Sequence, residues 1–347
     1  MDHQFFRSRS GIEEHFFALS SIPSSDGDFR AEAVRLLERY RACCREAGCD
    51  DATTILLRFH LSDVTNQAEK LRVLLPENLF VSIVGQPPAG GARLALEAWH
   101  CRGERPFRAH FARLDRFVSG DSFAQTEAEF EYLKKELAAF NTRVADATAR
   151  TWLYCRDVDT HYAGLVKGRN EFFFRNNLTA DTHFIASTGI GAELADVRQL
   201  VAMESLSYPG IGQERFHYLS APEFLSPTQL YGVAFERGVR IDFDDCSHFY
   251  ISGTASIDNQ GQVLHLGDVR LQTRRMVRNI AALLEAGGAS LADICWGTVY
   301  LRDLADAELV RGELEALFPE AFPLVILRAP VCRPTWLVEM ECVALKN

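Results

Sequence analysis

The sequence predicts an α+β chain in which one small unit of strands and helices is written three times over. Three observations predict it. The stretches "TILLRFHLSDVTNQAEKLRVLLPENLFVSIVGQ" from Thr54, "TWLYCRDVDTHYAGLVKGRNEFF" from Thr151 (continuing to "HFIASTGIG") and "TVYLRDLADAELVRGELEALFPEAFPLVILRAP" from Thr298 follow one pattern. Each is closed by a further apolar strand: "ARLALEAWHC", "RQLVAMESLSY" and "TWLVEMECVAL". Each is also preceded by a helix: "AEAVRLLERYRACCREAG", "TEAEFEYLKKELAAFN" and "TRRMVRNIAALLEAGG". A repeat of roughly a hundred residues is too long for a solenoid module, so each copy is a domain-sized unit.

Within each stretch the order of elements is the same. An apolar strand leads into a short acidic turn at Asp63, Asp157 or Asp303, then an amphipathic helix, then a second apolar strand. The units are expected at residues 1–105, 106–215 and 216–347. The joints lie near "HCRGERPF" and "YPGIGQERF", where Gly, Pro and charge cluster. "PPAGGA" at 87–92 reads as a turn between strands. The third unit has the fullest start, since "LYGVAFERGVRIDFDDCSHFYISGTASID" alternates apolar and polar residues like a strand meander. The helix over 268–286 carries Val269, Met276, Ile280, Leu283 and Leu284 at helical spacing and stops at Gly287-Gly288.

Composition agrees with a folded chain. At 347 residues with 47% apolar and 24% charged residues it can bury a sizeable core. A net charge of −10 and a pI near 5.5 argue against a general nucleic-acid binder, which needs a basic face. No signal-like leader and no run approaching the ~20 apolar residues of a membrane helix is present, so a cytoplasmic protein is expected. Nine cysteines, an odd number without zinc-type spacing, read as reduced thiols; no metal and no cofactor are expected.

The third unit's motifs "SGTAS", "GQVLHLGDVRLQT", "NIAALLEAGGASLADI", "TVYLRDLAD" and "LVEMECVAL" resemble the RidA (YjgF) family over about 110 residues. That resemblance implies a chorismate-mutase-like unit, a mixed sheet backed by two helices, with three units packed sheet to sheet and ligand pockets at their interfaces. Three copies in one chain then imply an intrachain pseudo-trimer and a monomeric protein. Across nearly the whole chain, "GRNEFF", "FIASTGIGAE" and "YLSAPEFLSPTQLYGVAFERG" also resemble the chorismatase family, which releases pyruvate from chorismate.

The residues can be set against that resemblance. In "LVEMEC" Glu339 and Glu341 share a strand face, because side chains alternate with period two. The second unit's "LVAMES" keeps Glu204 for Glu341 but has Ala202 for Glu339, and a carboxylate present in one copy points to chemistry rather than folding. Glu97 in the first unit is not fixed in register to within one residue. Hydrolysis of an enolpyruvyl ether needs a carboxylic acid still protonated near neutral pH, and apolar neighbours such as Trp336 and Leu337 favour a dry site. Chorismate is a dianion and needs arginine forks; Arg169, Arg237 and Arg240 are the candidates.

The family resemblances further imply Tyr231 as a pocket tyrosine and Gly253 as a pocket wall that influences product choice; Tyr218 in "HYLSAP" is a further candidate. They imply Cys332, seven residues before Glu339, as a pocket thiol of hydroxybenzoate-forming chorismatases. The expected products are therefore pyruvate and 3-hydroxybenzoate, alone or with 4-hydroxybenzoate. Two alternatives stand beside this. A RidA-type imine deaminase shares the strand glutamate but needs an arginine two residues after Phe-Pro. Here Phe322-Pro323-Leu324 is followed by Val325, and the second unit's equivalent is expected to be apolar as well. A non-enzymatic ligand-binding module is the other; Glu339 and Cys332 in one copy only count against it.

Overall fold

The computed structural model describes residues 1–23 and 27–347; the side chain of Tyr231 lies outside the description. The chain runs β1 (His3–Arg7), β2 (Glu13–Ser20), α1 (Phe29–Ala47), β3 (Thr54–Leu61), α2 (Val64–Arg72), β4 (Val81–Gly85) and β5 (Leu94–Arg102). It continues with β6 (His110–Arg113), α3 (Ser122–Ala138), α4 (Val144–Ala147), β7 (Thr148–Cys155), α5 (Val158–Arg175), β8 (Ala186–Gly191) and β9 (Val201–Ser207). The last part is β10 (Phe216–Tyr218), β11 (Gly238–Asp242), β12 (Ser247–Ala255), α6 (Val269–Ala286), β13 (Ile294–Leu301), α7 (Ala307–Leu317), β14 (Leu324–Arg328) and β15 (Val338–Lys346).

Three sheets result, ordered β1-β2-β5-β3-β4, β6-β9-β7-β8 and β10-β11-β12-β15-β13-β14. In each, the strand–helix–strand stretch forms a parallel pair (β3 with β4, β7 with β8, β13 with β14), while the closing strand inserts antiparallel beside it. The first helix of each unit starts alike. Asp28, Asp121 and Asp268 each cap the first turn by accepting from a backbone N–H at 2.9 Å, satisfying a donor that the helix itself leaves open. The acidic turns also cap: Asp63 accepts from Asn66 N and Asp303 from Ala305 N, whereas Asp157 sits at φ 42° without a side-chain cap.

Strand alternation divides the residues between two cores. On the closing strands, Leu94, Leu96 and Ala98, or Val201 and Met203, face the unit's own helices. The opposite faces meet at a common centre. There Phe16, Trp99, Phe111, Trp152 and Trp296, drawn from all three units, lie within 5.9–6.2 Å of their neighbours' ring centroids.

Register fixes the correspondence between units. Glu97 pairs with Arg58, Glu204 with Trp152 and Glu341 with Thr298, so the three buried glutamates occupy one position, and Glu97 is placed without ambiguity. Each accepts hydrogen bonds from the preceding unit in a closed cycle. Glu97 takes Trp296 Nε1 (3.0 Å) and Thr298 Oγ1 (2.6 Å) from the third unit. Glu204 takes Arg58 Nε (2.9 Å) and Nη2 (2.7 Å) from the first. Glu341 takes Arg150 Nη2 (2.8 Å) and Trp152 Nε1 (2.6 Å) from the second. Among the described residues no helix is long and apolar enough to cross a membrane.

Candidate active site

Two residues before Glu341 on the same strand face stands Glu339, opposite Tyr300; the same register holds Ala202 opposite Tyr154 and Ala95 opposite His60 in the other sheets. A local irregularity accompanies this acid. Between Ile251 and Thr254 the β12–β15 pairing slips, so Ser252 and Gly253 together face one partner residue. The matching β2–β5 ladder runs through Ala18 without a slip. A bulge of this kind re-aims the chain beside a site. It brings Gly253 against the acid, where an added Cβ would overlap Glu339 Oε1 and lie 3.0 Å from Thr188 Cγ2. Gly253 is thus required for close approach, and the space it leaves is taken first by the Glu339 carboxyl.

Glu339 opens onto a cavity of about 390 Å³ between the second and third units. One wall is a face of α5, where Tyr162, Val166 and Arg169 follow at helical spacing, with Ser187–Gly189 of β8 beside it. The facing wall is Gly253, Arg237, Cys332, Arg333 and Trp336 of the third unit, and Gly232, Val233 and Phe235 lie across it. Glu339 is the only carboxyl among the described lining residues, and three guanidinium groups line the same space: Arg169, Arg237 and Arg333. Burial, reinforced by the Glu341 carboxylate, pushes the Glu339 carboxyl up to about 8, against the pull of Arg150 and Arg237. It is a protonated acid at neutral pH.

Burial and the Glu339 carboxyl likewise push the Cys332 thiol up to about 12, opposed by a hydrogen bond with Tyr162. Cys332 is therefore a neutral thiol and not a thiolate nucleophile. Burial holds the Tyr162 phenol well above the ordinary tyrosine range, with Cys332 adding to the shift, so it too stays protonated.

Of the candidates from the sequence, the structure brings Glu339, Cys332, Gly253, Arg169 and Arg237 together around one cavity. Two candidates fall elsewhere. Arg240 points away and is held by Asp242 (Nε and Nη2 both at 2.6 Å) and the Gly287 carbonyl (3.0 Å), because strand alternation puts it on the face opposite the cavity. Tyr218 stacks on His183 at 4.6 Å and donates to Gln213 Oε1 at 3.3 Å, outside the cavity. Tyr231 falls outside the residues whose side chains are described, although Gly232 and Val233 after it line the site. The position matching Val325 in the second unit is Thr188, a hydroxyl and not an apolar residue, since Val325 pairs with Thr298 as Thr188 does with Trp152. Sequence reasoning missed Tyr162, Thr188 and Arg333. Tyr162 had a signal, standing seven residues before Arg169 on one helix face; Thr188 had none, because two of its three partners, Gly253 and Glu341, come from another unit.

Residues 243–346 match the family model described as Endoribonuclease L-PSP. The chain is 32% identical over 96 residues to the 3-aminoacrylate deaminase RutC of Acinetobacter baylyi, covering 27% of this chain and 76% of that protein. It is 36% identical over 99 residues to a RutC family protein of Pyrococcus abyssi, covering 28% and 78%. The chain belongs to the RutC family of Endoribonuclease L-PSP-like proteins. Beyond that match, its fold over nearly the full length is that of a solved chorismatase structure, with a TM-score of 0.68 at 19% identity, covering 95% of this chain and 98% of that one.

Proposed function

We propose that the protein is a chorismatase that converts chorismate to pyruvate and 3-hydroxybenzoate, alone or with 4-hydroxybenzoate. The observation that carries this reading is the pairing of one carboxyl raised to about 8 with three arginines in one cavity. Protonating an enol ether at carbon needs an acid that is neutral near pH 7. A dianionic substrate needs cationic forks, and Arg169, Arg237 and Arg333 supply them. The whole-length likeness to a chorismatase fold supports the same substrate class.

The chemistry follows from those groups. Glu339 donates its proton to the terminal methylene of the enolpyruvyl ether, which becomes the methyl group of pyruvate. The ether carbon becomes an oxocarbenium ion and accepts an oxygen, which ends as the ketone oxygen of pyruvate. If water supplies that oxygen, the ring leaves as a dihydroxycyclohexadiene acid. If the ring C4 hydroxyl supplies it, the C4–O bond breaks, the C3 proton is lost and the ring aromatises to 3-hydroxybenzoate with no net uptake of water. Cleaving the C3–O bond instead gives the 4-isomer. Cys332 and Tyr162, both uncharged, would steer the cation between water and the internal oxygen.

A pyruvate-coupled assay on chorismate tests the reading. Wild-type protein is expected to release pyruvate, and Glu339→Gln, which keeps the shape but not the acid, to lose about 10²–10⁴-fold in rate. Ammonia release from an imine substrate with no turnover of chorismate would replace this reading with the deaminase alternative; neither reaction would leave a ligand-binding module.

A further inference from the structure

We infer that Thr188, on the second unit, is a positioning residue for the acid on the third: its hydroxyl ties the β12 bulge to the central Glu341–Arg150 pair and so holds Glu339 in place. The inference rests on the proposed role of Glu339 as the proton donor. The Thr188 hydroxyl has three partners and uses all its hydrogen-bonding capacity. It donates to Glu341 Oε2, accepts from Arg150 Nη2 at 2.6 Å and accepts from the Gly253 backbone N–H at 2.9 Å. The preceding residue repeats the clasp, since Ser187 N donates to Ser252 Oγ at 2.9 Å and that hydroxyl donates to the Glu236 carbonyl at 2.6 Å. Both bulge residues are therefore held by β8 of the neighbouring unit, and Gly253 in turn abuts the Glu339 carboxyl.

The other two seams serve as internal controls. Ser82 stands at the Thr188 register in the first unit, opposite Arg58, and its hydroxyl also donates to the neighbouring central glutamate, Glu204. Its outer partner, however, is the Arg113 guanidinium, which also donates to the Ile83 carbonyl at 3.1 Å. At the remaining seam the position is Val325, which cannot donate, and Glu97 takes His60 Nε2 at 2.9 Å from its own unit instead. A hydroxyl that supports the centre is thus dispensable. Only where the bulge and the acid occur does it also receive a backbone amide.

The test compares Thr188→Ser, which keeps the hydroxyl, with Thr188→Val, which keeps the shape and loses it. Pyruvate release from chorismate is measured together with hydrogen exchange over 247–255 by mass spectrometry. The serine protein is expected to hold kcat within a few-fold of wild type. The valine protein is expected to lose about 10- to 100-fold in kcat with KM little changed, since displacing a reacting group by about 1 Å costs on that order. Exchange should accelerate at the bulge in the valine protein only. Thr188→Ala repeats the comparison should the valine protein not fold. Unchanged kcat without the hydroxyl, or an equal loss in the serine protein, overturns the inference, as does unchanged exchange at the bulge. A wild-type protein that releases no pyruvate overturns the chorismatase reading alone, and the exchange comparison then still decides whether Thr188 holds the bulge.

Discussion

At position 339 the chain keeps a carboxyl where folding gains nothing from one, because Ala95 and Ala202 fill the same register in the other sheets. Its raised pKa of about 8 has two consequences. On the proposed role of Glu339 the competent form is the neutral acid, so pyruvate release should be sustained at neutral pH and fall as pH climbs through about 8. Stability should follow the same sign. A carboxyl easier to ionise in the unfolded chain contributes stability below its ordinary pKa that is lost as pH rises through the folded value. Glu339→Gln should therefore gain in melting temperature relative to wild type between mildly acidic and mildly alkaline pH; a constant difference would place the raised acid elsewhere. Cys332 is a residue-scale question too. If its neutral thiol only fills space, Cys332→Ala should cost roughly 1–2 kcal/mol and leave the products alone. If it guides the cation, the hydroxybenzoate fraction should drop and a dihydroxy acid from water attack should rise while pyruvate release persists. We expect the second pattern, read by chromatography of the acids; an unchanged profile in a folded variant would make Cys332 a packing residue.

Among the elements, β15 does two jobs on one face. Glu339 looks into the cavity, while Glu341 is held by Arg150 and Trp152 of the second unit. Removing a buried partner leaves its counterpart charge uncompensated, so Glu341→Ala should destabilise the protein by ~3–5 kcal/mol, measured by denaturant unfolding. Glu341→Gln retains acceptor capacity and should cost less. A surface-like effect, under about 0.5 kcal/mol for the alanine variant, would show that the central cycle is not a structural element. Strand β12 carries the complementary specialisation. Its slipped register is what lets Gly253 approach Glu339, and the unslipped β2 offers no such site.

Taken whole, the molecule closes on itself. Each unit hands donors to the next and the third hands them back to the first, so the contacts that separate subunits would otherwise make are satisfied within one chain. Closed symmetry ends association. Light scattering at micromolar concentration should therefore find a particle of about 39 kDa, the mass of one chain. An obligate trimer of 117 kDa, three times the 39.0 kDa chain, would mean that a second set of interfaces exists on the outer surface.

By itself the sequence determined what local periodicity and internal repetition can carry. Three apolar strands ending in "LEAWH", "AMES" and "VEMEC" revealed three units. The loss of a carboxylate between copies singled out Glu339, and alternation put it on one face with Glu341. Those inferences need only the side-chain period of a strand and a comparison of the chain with itself. What the tertiary structure decided lies in how strands pair and in what meets across the seams. Arg240 looked as plausible as Arg237 until strand alternation turned it toward Asp242. Glu97 had no register until Arg58 was paired with it. Thr188 was invisible because its three partners, Arg150, Gly253 and Glu341, lie on three other strands, one of its own unit and two of the next. A site built between units has no local signature, since the residues that face one another are chosen by how sheets pack and not by how far apart they stand in the chain.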